Sequence, residues 1–151
     1  MEQLKSILLA EDNKMDIELT LEGLARYNLA NEVMVVKDGV EALDYLRCRG
    51  KFHGRSVGNP AVILLDIKMP KMGGLEVLKE IRSDPALRAI PVVVLTSSKE
   101  EADLVASYSL GANAYVVKPL EFREFIRAVS QLGAFWALLN EPPPNTAKRL
   151  R

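Results

Sequence analysis

Apolar residues fall into five short, nearly continuous runs, separated by stretches in which they recur at helical spacing. The runs are KSILLA at 5–10, EVMVVK at 32–37, AVILLD at 61–66, PVVVLT at 91–96 and NAYVVK at 113–118. Strands buried on both faces read as continuous apolar segments, whereas half-exposed antiparallel strands alternate, so these runs predict parallel strands covered on both sides. Between them, Ile17, Leu21, Leu24 and Asn28, then Leu43 and Leu46, then Leu75, Leu78 and Ile81 mark helices. Asp38 with Glu41 and Ser98 with Glu101 read as helix starts, each an acceptor followed three residues later by a carboxylate. Gly111 reads as the stop of the fourth helix. Phe122, Ile126, Val129, Leu132, Trp136 and Leu139 make a long stripe on a fifth helix. Five strand–helix units predict an α/β domain of three layers with right-handed crossovers, spanning residues 1–140. The proline-rich remainder, 141–151, cannot continue the helix and is expected to be disordered.

One segment breaks the regularity. RCRGKFHGRSVGNP at 47–60 is basic and glycine-rich, and reads as an extended loop after the second helix. It carries His53, the one histidine, with no orienting partner in view for catalysis. Its basic residues are expected to be solvated, and partner recognition is the role open to it.

Composition narrows the classes further. At 151 residues and 48% hydrophobic, the chain has room for one core. Lys plus Arg and Asp plus Glu balance at 20 each, which argues against a nucleic-acid or lipid-binding surface; Lys148, Arg149 and Arg151 read as part of a solvated tail. No run approaches the roughly 20 apolar residues of a membrane span, and the N-terminal ILLA is too short and too soon acidic for a signal peptide. The expectation is a cytoplasmic protein. Cys48, the lone cysteine, can form neither an intrachain disulfide nor a thiolate metal site.

The chemistry sits where the runs end. The first closes on Glu11 and Asp12, the third on Asp66, the fourth on Thr96 and the fifth on Lys118. In an open α/β sheet the carboxyl ends of the strands line one crevice. Three carboxylates against one lysine leave an excess of negative charge there. Like charges about 4 Å apart repel by roughly 4 kcal/mol at an effective dielectric of 20. A divalent cation would relieve this, and an all-oxygen donor set suits Mg²⁺ rather than zinc. The same groups suit phosphoryl transfer to a carboxylate: Mg²⁺ and Lys118 would neutralise the incoming charge, and the Thr96 hydroxyl would hydrogen-bond it.

With ED at 11–12, DIKMPKMGG at 66–74, LTSS at 95–98 and KP at 118–119, the chain resembles the receiver domains of two-component response regulators over about residues 5–130. The resemblance implies a flavodoxin-like (βα)5 fold, a doubly wound parallel sheet of five strands. It implies that Asp66 accepts a phosphoryl group from a phosphohistidine on a sensor histidine kinase. It places Mg²⁺ on Asp12 and Asp66, with Glu11 contributing through water and the main-chain carbonyl of Lys68 completing the protein ligands. Thr96 and Tyr115 match the family's switch pair, Ser97 takes the small-residue position after the threonine, and Ser98 a position that tunes dephosphorylation. Lys118–Pro119 matches a bond that is cis in the family. No activity beyond slow self-dephosphorylation is implied.

The loop at 47–60 and the long fifth helix resemble the single-domain regulators paired with bacterial phytochromes, which implies a phytochrome as the kinase. Phe135, Trp136, Leu138 and Leu139 cover more than one face of that helix and predict a homodimer through it. A flavin carrier on the same architecture is disfavoured, because the acids of AEDNKMD would repel a phosphate. The alternative that stands is a receiver-fold binding module that signals without phosphorylation.

Overall fold

The computed structural model describes residues 3–55, 58–146 and 148–150. After a short strand β1 (Gln3–Lys5), the five expected strands appear as β2 (Ile7–Ala10), β3 (Val33–Val36), β4 (Val62–Leu65), β5 (Val92–Thr96) and β6 (Ala114–Val117). They form one parallel sheet in the order β3-β2-β4-β5-β6. Helices α1 (Lys14–Ala25), α2 (Gly39–Leu46), α3 (Gly74–Ser83), α4 (Glu101–Ser109) and α5 (Phe122–Gly133) connect and cover it. This is the flavodoxin-like (βα)5 arrangement.

Alternate residues of the central strands feed two separate cores. Leu8, Ala10, Ile63, Leu65, Val92 and Val94 pack with Leu43, Val77, Leu78 and Ile81 beneath α2 and α3. Ile7, Leu9, Val62, Leu64, Val93 and Leu95 pack with Leu24, Phe125, Ile126 and Val129 beneath α1 and α5. Period-2 alternation of side chains across a two-sided sheet requires both positions to be apolar, which is why the runs are continuous. The capping reading at Asp38 is borne out: its Oδ1 accepts the Glu41 N–H at 2.8 Å. Gly111, at φ +99, lies just beyond α4.

Several helical readings shift. Along α1 the buried residues are Leu19, Thr20, Gly23 and Leu24, and Asn28 lies beyond the helix at φ +61. The face is selected by close crossing of α1 and α5: a Cβ on Gly23 would sit 2.7 Å from the Ile126 carbonyl oxygen. Ser98 does not cap α4, which begins at Glu101 after Glu100. Its Oγ instead donates to Asp103 Oδ2 at 2.5 Å.

On α5, Ile126 and Val129 are buried as expected, but Phe122 is exposed, and Phe125, outside the predicted stripe, is buried. Beyond Gly133 the chain becomes π-helical over Ala134–Leu139, and Asn140 N–H donates to the Phe135 carbonyl five residues back. The wider π turn breaks a 3.6-residue stripe. It leaves Ala137 buried, Trp136 half-buried, and Phe135, Leu138 and Leu139 exposed.

The tail expected to be disordered has backbone partners within the described residues. Asn59 N–H donates to Asn145 O at 3.1 Å, Asn59 bridges Thr146, and β7 (Lys148–Leu150) pairs antiparallel with β1. Prolines exclude a helix but not an extended strand at a sheet edge. Position 147 and residue 151 fall outside the described residues.

Candidate functional site

The order of the strands reverses beside β2: the chain goes from β2 to β3 on one side and then crosses to β4 on the other. Register pairs Ala10 with Leu65, so the next residues, Glu11 and Asp66, leave the sheet side by side. Asp66 N–H donates to Ala10 O at 3.0 Å and Glu11 N–H to Val36 O at 2.9 Å. Thr96 pairs with Val117, and Lys118 N–H donates to Thr96 O at 2.7 Å. Strand ends thus deliver Glu11, Asp66, Thr96 and Lys118, all buried, to one crevice. Asp12 stands exposed at its mouth.

Carboxylate oxygens of Glu11, Asp12 and Asp66 lie within 4.8 Å of one another. Lys118 Nζ donates to Glu11 Oε1, to Asp16 Oδ2 at 2.8 Å and to Asp66 Oδ2 at 3.0 Å. Burial by itself would lower the affinity of this amine for its proton, but the hydrogen bonds to Asp16 and Glu11 and the charges of Asp66 and Glu11 more than offset it, so its pKa is raised. Lys118 is therefore a fixed cation.

Glu11 is pushed up to about 7, chiefly because burial strips its carboxylate of water. The Asp66 charge adds to the rise, and the hydrogen bond from Lys118 opposes it. One lysine does not neutralise the cluster. The donor set, all carboxylate oxygen with one member open to solvent, fits a hard divalent cation of the Mg²⁺ or Mn²⁺ kind.

The loop after β4 is tight. Met72 N–H donates to Pro70 O at 2.7 Å, with Lys71 between them at φ +66. Gly74 N–H donates to Ile67 O at 2.8 Å, and a Cβ there would fall 2.1 Å from the Asp66 carbonyl oxygen. Only glycine lets α3 start so close to Asp66. Lys68 N–H donates to Asp66 Oδ1 at 3.4 Å, which sets its backbone beside that carboxyl.

Thr96 and Tyr115 meet through a third residue. Ser98 N–H donates to Thr96 Oγ1 at 3.3 Å, and the Tyr115 hydroxyl donates to Ser98 O at 3.0 Å. The expected cis bond is not present: the peptide bonds of the described residues, Lys118–Pro119 among them, are trans. Trans is the lower-energy form by about 0.5–1 kcal/mol before prolines, and sequence alone offers nothing that reverses it.

His53 lies outside the crevice, exposed, with Nδ1 3.2 Å from Gly50 O. The loop around it is not simply solvated. Arg55 Nε donates to Tyr45 O at 2.6 Å and its guanidinium stacks 4.2 Å from the Tyr45 ring centroid. Positions 56 and 57 fall outside the described residues.

Asp16 escaped sequence reasoning. Asn13 caps α1 by accepting the Asp16 N–H at 3.0 Å, which sets the first turn over the strand ends. The available signal was an acid three residues after a capping asparagine that directly follows Glu11 and Asp12.

Comparisons with known proteins agree with this geometry. The profile of the response regulator receiver domain matches residues 7–130. The response regulator Rcp1 of Synechocystis sp. is 39% identical over 132 residues, covering 87% of this chain and 88% of its own. A crystal structure of the Mn²⁺-bound form of Rcp1 superposes with a TM-score of 0.85 at 38% identity, covering 92% of this chain and 99% of that one. The phosphorylated cyanobacterial phytochrome response regulator RcpA gives 0.87 at 44% identity, over 93% and 99% of the two chains. The bacteriophytochrome response regulator RtBRR gives 0.74 at 63% identity, over 95% and 86%. Among the described residues, no helix is long and apolar enough to cross a membrane.

Proposed function

The chain belongs to the response regulator receiver domain family, whose members signal rather than act as enzymes in the ordinary sense, and we propose that it receives a phosphoryl group on Asp66 from a sensor histidine kinase. One observation carries this reading: Lys118 Nζ bridges Glu11 and Asp66 beside a three-carboxylate cluster at the point where strand order reverses. An Asp66 carboxylate oxygen attacks phosphorus, the P–O bond forms as the P–N bond of the phosphohistidine breaks, and the imidazole leaves with the electron pair. Lys118 supplies positive charge to the phosphoryl oxygens, and the Thr96 hydroxyl supplies a hydrogen bond. Mg²⁺ held by Glu11, Asp12, Asp66 and the Lys68 carbonyl would neutralise phosphoryl charge. Tyr115 follows Thr96 through their shared partner Ser98.

The kinase we assign is a bacterial phytochrome, on the strength of likeness to RcpA and RtBRR, and the site of action is the cytoplasm. The exposed Phe135, Leu138 and Leu139 support a homodimer through the π-helical end of α5.

Incubation with a small phosphodonor and Mg²⁺ should add one base-labile phosphoryl group, read by mass spectrometry, and Asp66→Asn should abolish the addition while the fold is kept. A wild type that gains no phosphoryl group would leave a receiver-fold binding module instead. Sedimentation at micromolar concentration should show a wild-type dimer and a folded Leu139→Glu monomer; a monomeric wild type, phosphorylated or not, sinks the dimer.

A further inference from the structure

Each of the three N–H groups of the Lys118 ammonium has a carboxylate to donate to, and two of those carboxylates, Glu11 and Asp66, belong to the cation-binding cluster. The third, Asp16, does not. It reaches in from the first turn of α1, and at 2.8 Å its Oδ2 is nearer to Nζ than Asp66 Oδ2 at 3.0 Å. Lys118 itself is only 6% exposed, so little water reaches its ammonium to replace a carboxylate it loses. A buried ammonium deprived of its acceptors is costly.

A cation binding at Glu11 and Asp66 competes with Lys118 for the same oxygens. From this we infer that Asp16 is a positioning residue that keeps Lys118 paired when the cluster takes up a divalent cation, and so sets the affinity of the site for that cation. The inference rests on the reading of Glu11, Asp12 and Asp66 as cation ligands. Asp16 is not among the three carboxylates whose oxygens converge on one point; it acts through the lysine. Asn at this position keeps the size and one acceptor oxygen but removes the charge. The other hydrogen bonds of Asp16 are made by its main chain, N–H to Asn13 Oδ1 and carbonyl from the Thr20 hydroxyl, so the helix start survives the change.

The test is calorimetric titration of the full chain with Mg²⁺ alone, in the wild type, Asp16→Asn, Lys118→Ala and the double variant. Loss of one charge-assisted partner predicts a dissociation constant about tenfold weaker for Asp16→Asn than for the wild type. In the Lys118→Ala background, where there is no ammonium to strand, the same substitution should change it by less than about twofold, the signature of coupled residues in a double-mutant cycle. Phosphorylation by a small phosphodonor gives the second readout: Asp16→Asn should need more Mg²⁺ yet reach the wild-type rate at saturation. An Asp16→Asn variant that binds Mg²⁺ like the wild type overturns the inference alone, as does a tenfold loss that persists without Lys118, since that is plain charge removal. A wild type that neither binds Mg²⁺ nor gains a phosphoryl group overturns the reading of the site beneath it.

Discussion

Replacing Glu11 by Gln should make the cation-free protein more stable at neutral and alkaline pH. Burial raises the Glu11 carboxyl from its ordinary 4.5 to about 7, so the folded chain holds this proton more tightly than the unfolded one. Stability from the protonated group is then complete below pH 4.5 and is lost as pH rises through 7. Two and a half decades of proton affinity, at roughly 1.4 kcal/mol per decade, put the total loss at about 3 kcal/mol. About 2 kcal/mol of it falls between pH 5.5 and 8.5. The side chain is almost fully buried, so little of this is screened away by solvent. Gln keeps one acceptor oxygen, enough for the Lys118 ammonium, and its amide nitrogen gives up the Asn13 N–H bond, an offset that does not vary with pH and leaves the difference between the two pH profiles intact. Urea denaturation in the presence of a chelator, at several pH values across that window, measures the effect. The wild type should lose stability relative to the variant by about 2 kcal/mol, and Mg²⁺ should restore much of it at the alkaline end. Parallel pH profiles for the two proteins would refute the reasoning, because they would mean that ionised Glu11 is fully compensated by Lys118.

Titration with Mg²⁺ should show severe weakening for Asp12→Ala, and intact or stronger binding for Lys118→Ala, whose ammonium competes for the same carboxylates; equal losses would mark the acids as a structural cluster. Gly74→Ala forces a Cβ to within 2.1 Å of the Asp66 carbonyl oxygen, a main-chain atom that cannot swing aside. It should cost about 3 kcal/mol in chemical denaturation and slow phosphorylation of Asp66 even where the protein is still folded; wild-type rates would show that the loop after β4 relaxes freely.

The residues at the ends of the apolar runs, Glu11, Asp12, Asp66, Thr96 and Lys118, were legible in sequence because a parallel strand has a fixed direction and its carboxyl end always faces the crevice. The strands themselves were legible because a sheet covered on both faces needs apolar residues at every position, as Leu8 and Leu9, or Ile63 and Leu64, show by packing into opposite cores. Helix faces were less so. The buried side of α1 turns on how close α5 comes at Gly23, and that distance is a property of two elements together.

Past Gly133, the change from α to π winding at Ala134–Leu139 turned Leu139 out of the apolar stripe and buried Ala137, which a 3.6-residue count cannot foresee. Asp16 shows the same divide within the site. A carboxylate in a first helical turn is ordinary by composition, and its bond to Lys118, 102 residues along the chain, exists only because α1 lies over the end of β6. Sequence therefore determined which groups the strands present, since strand direction and side-chain alternation are local rules. Tertiary structure decided which partners those groups have, since hydrogen bonds and close packing depend on atoms brought together from distant parts of the chain.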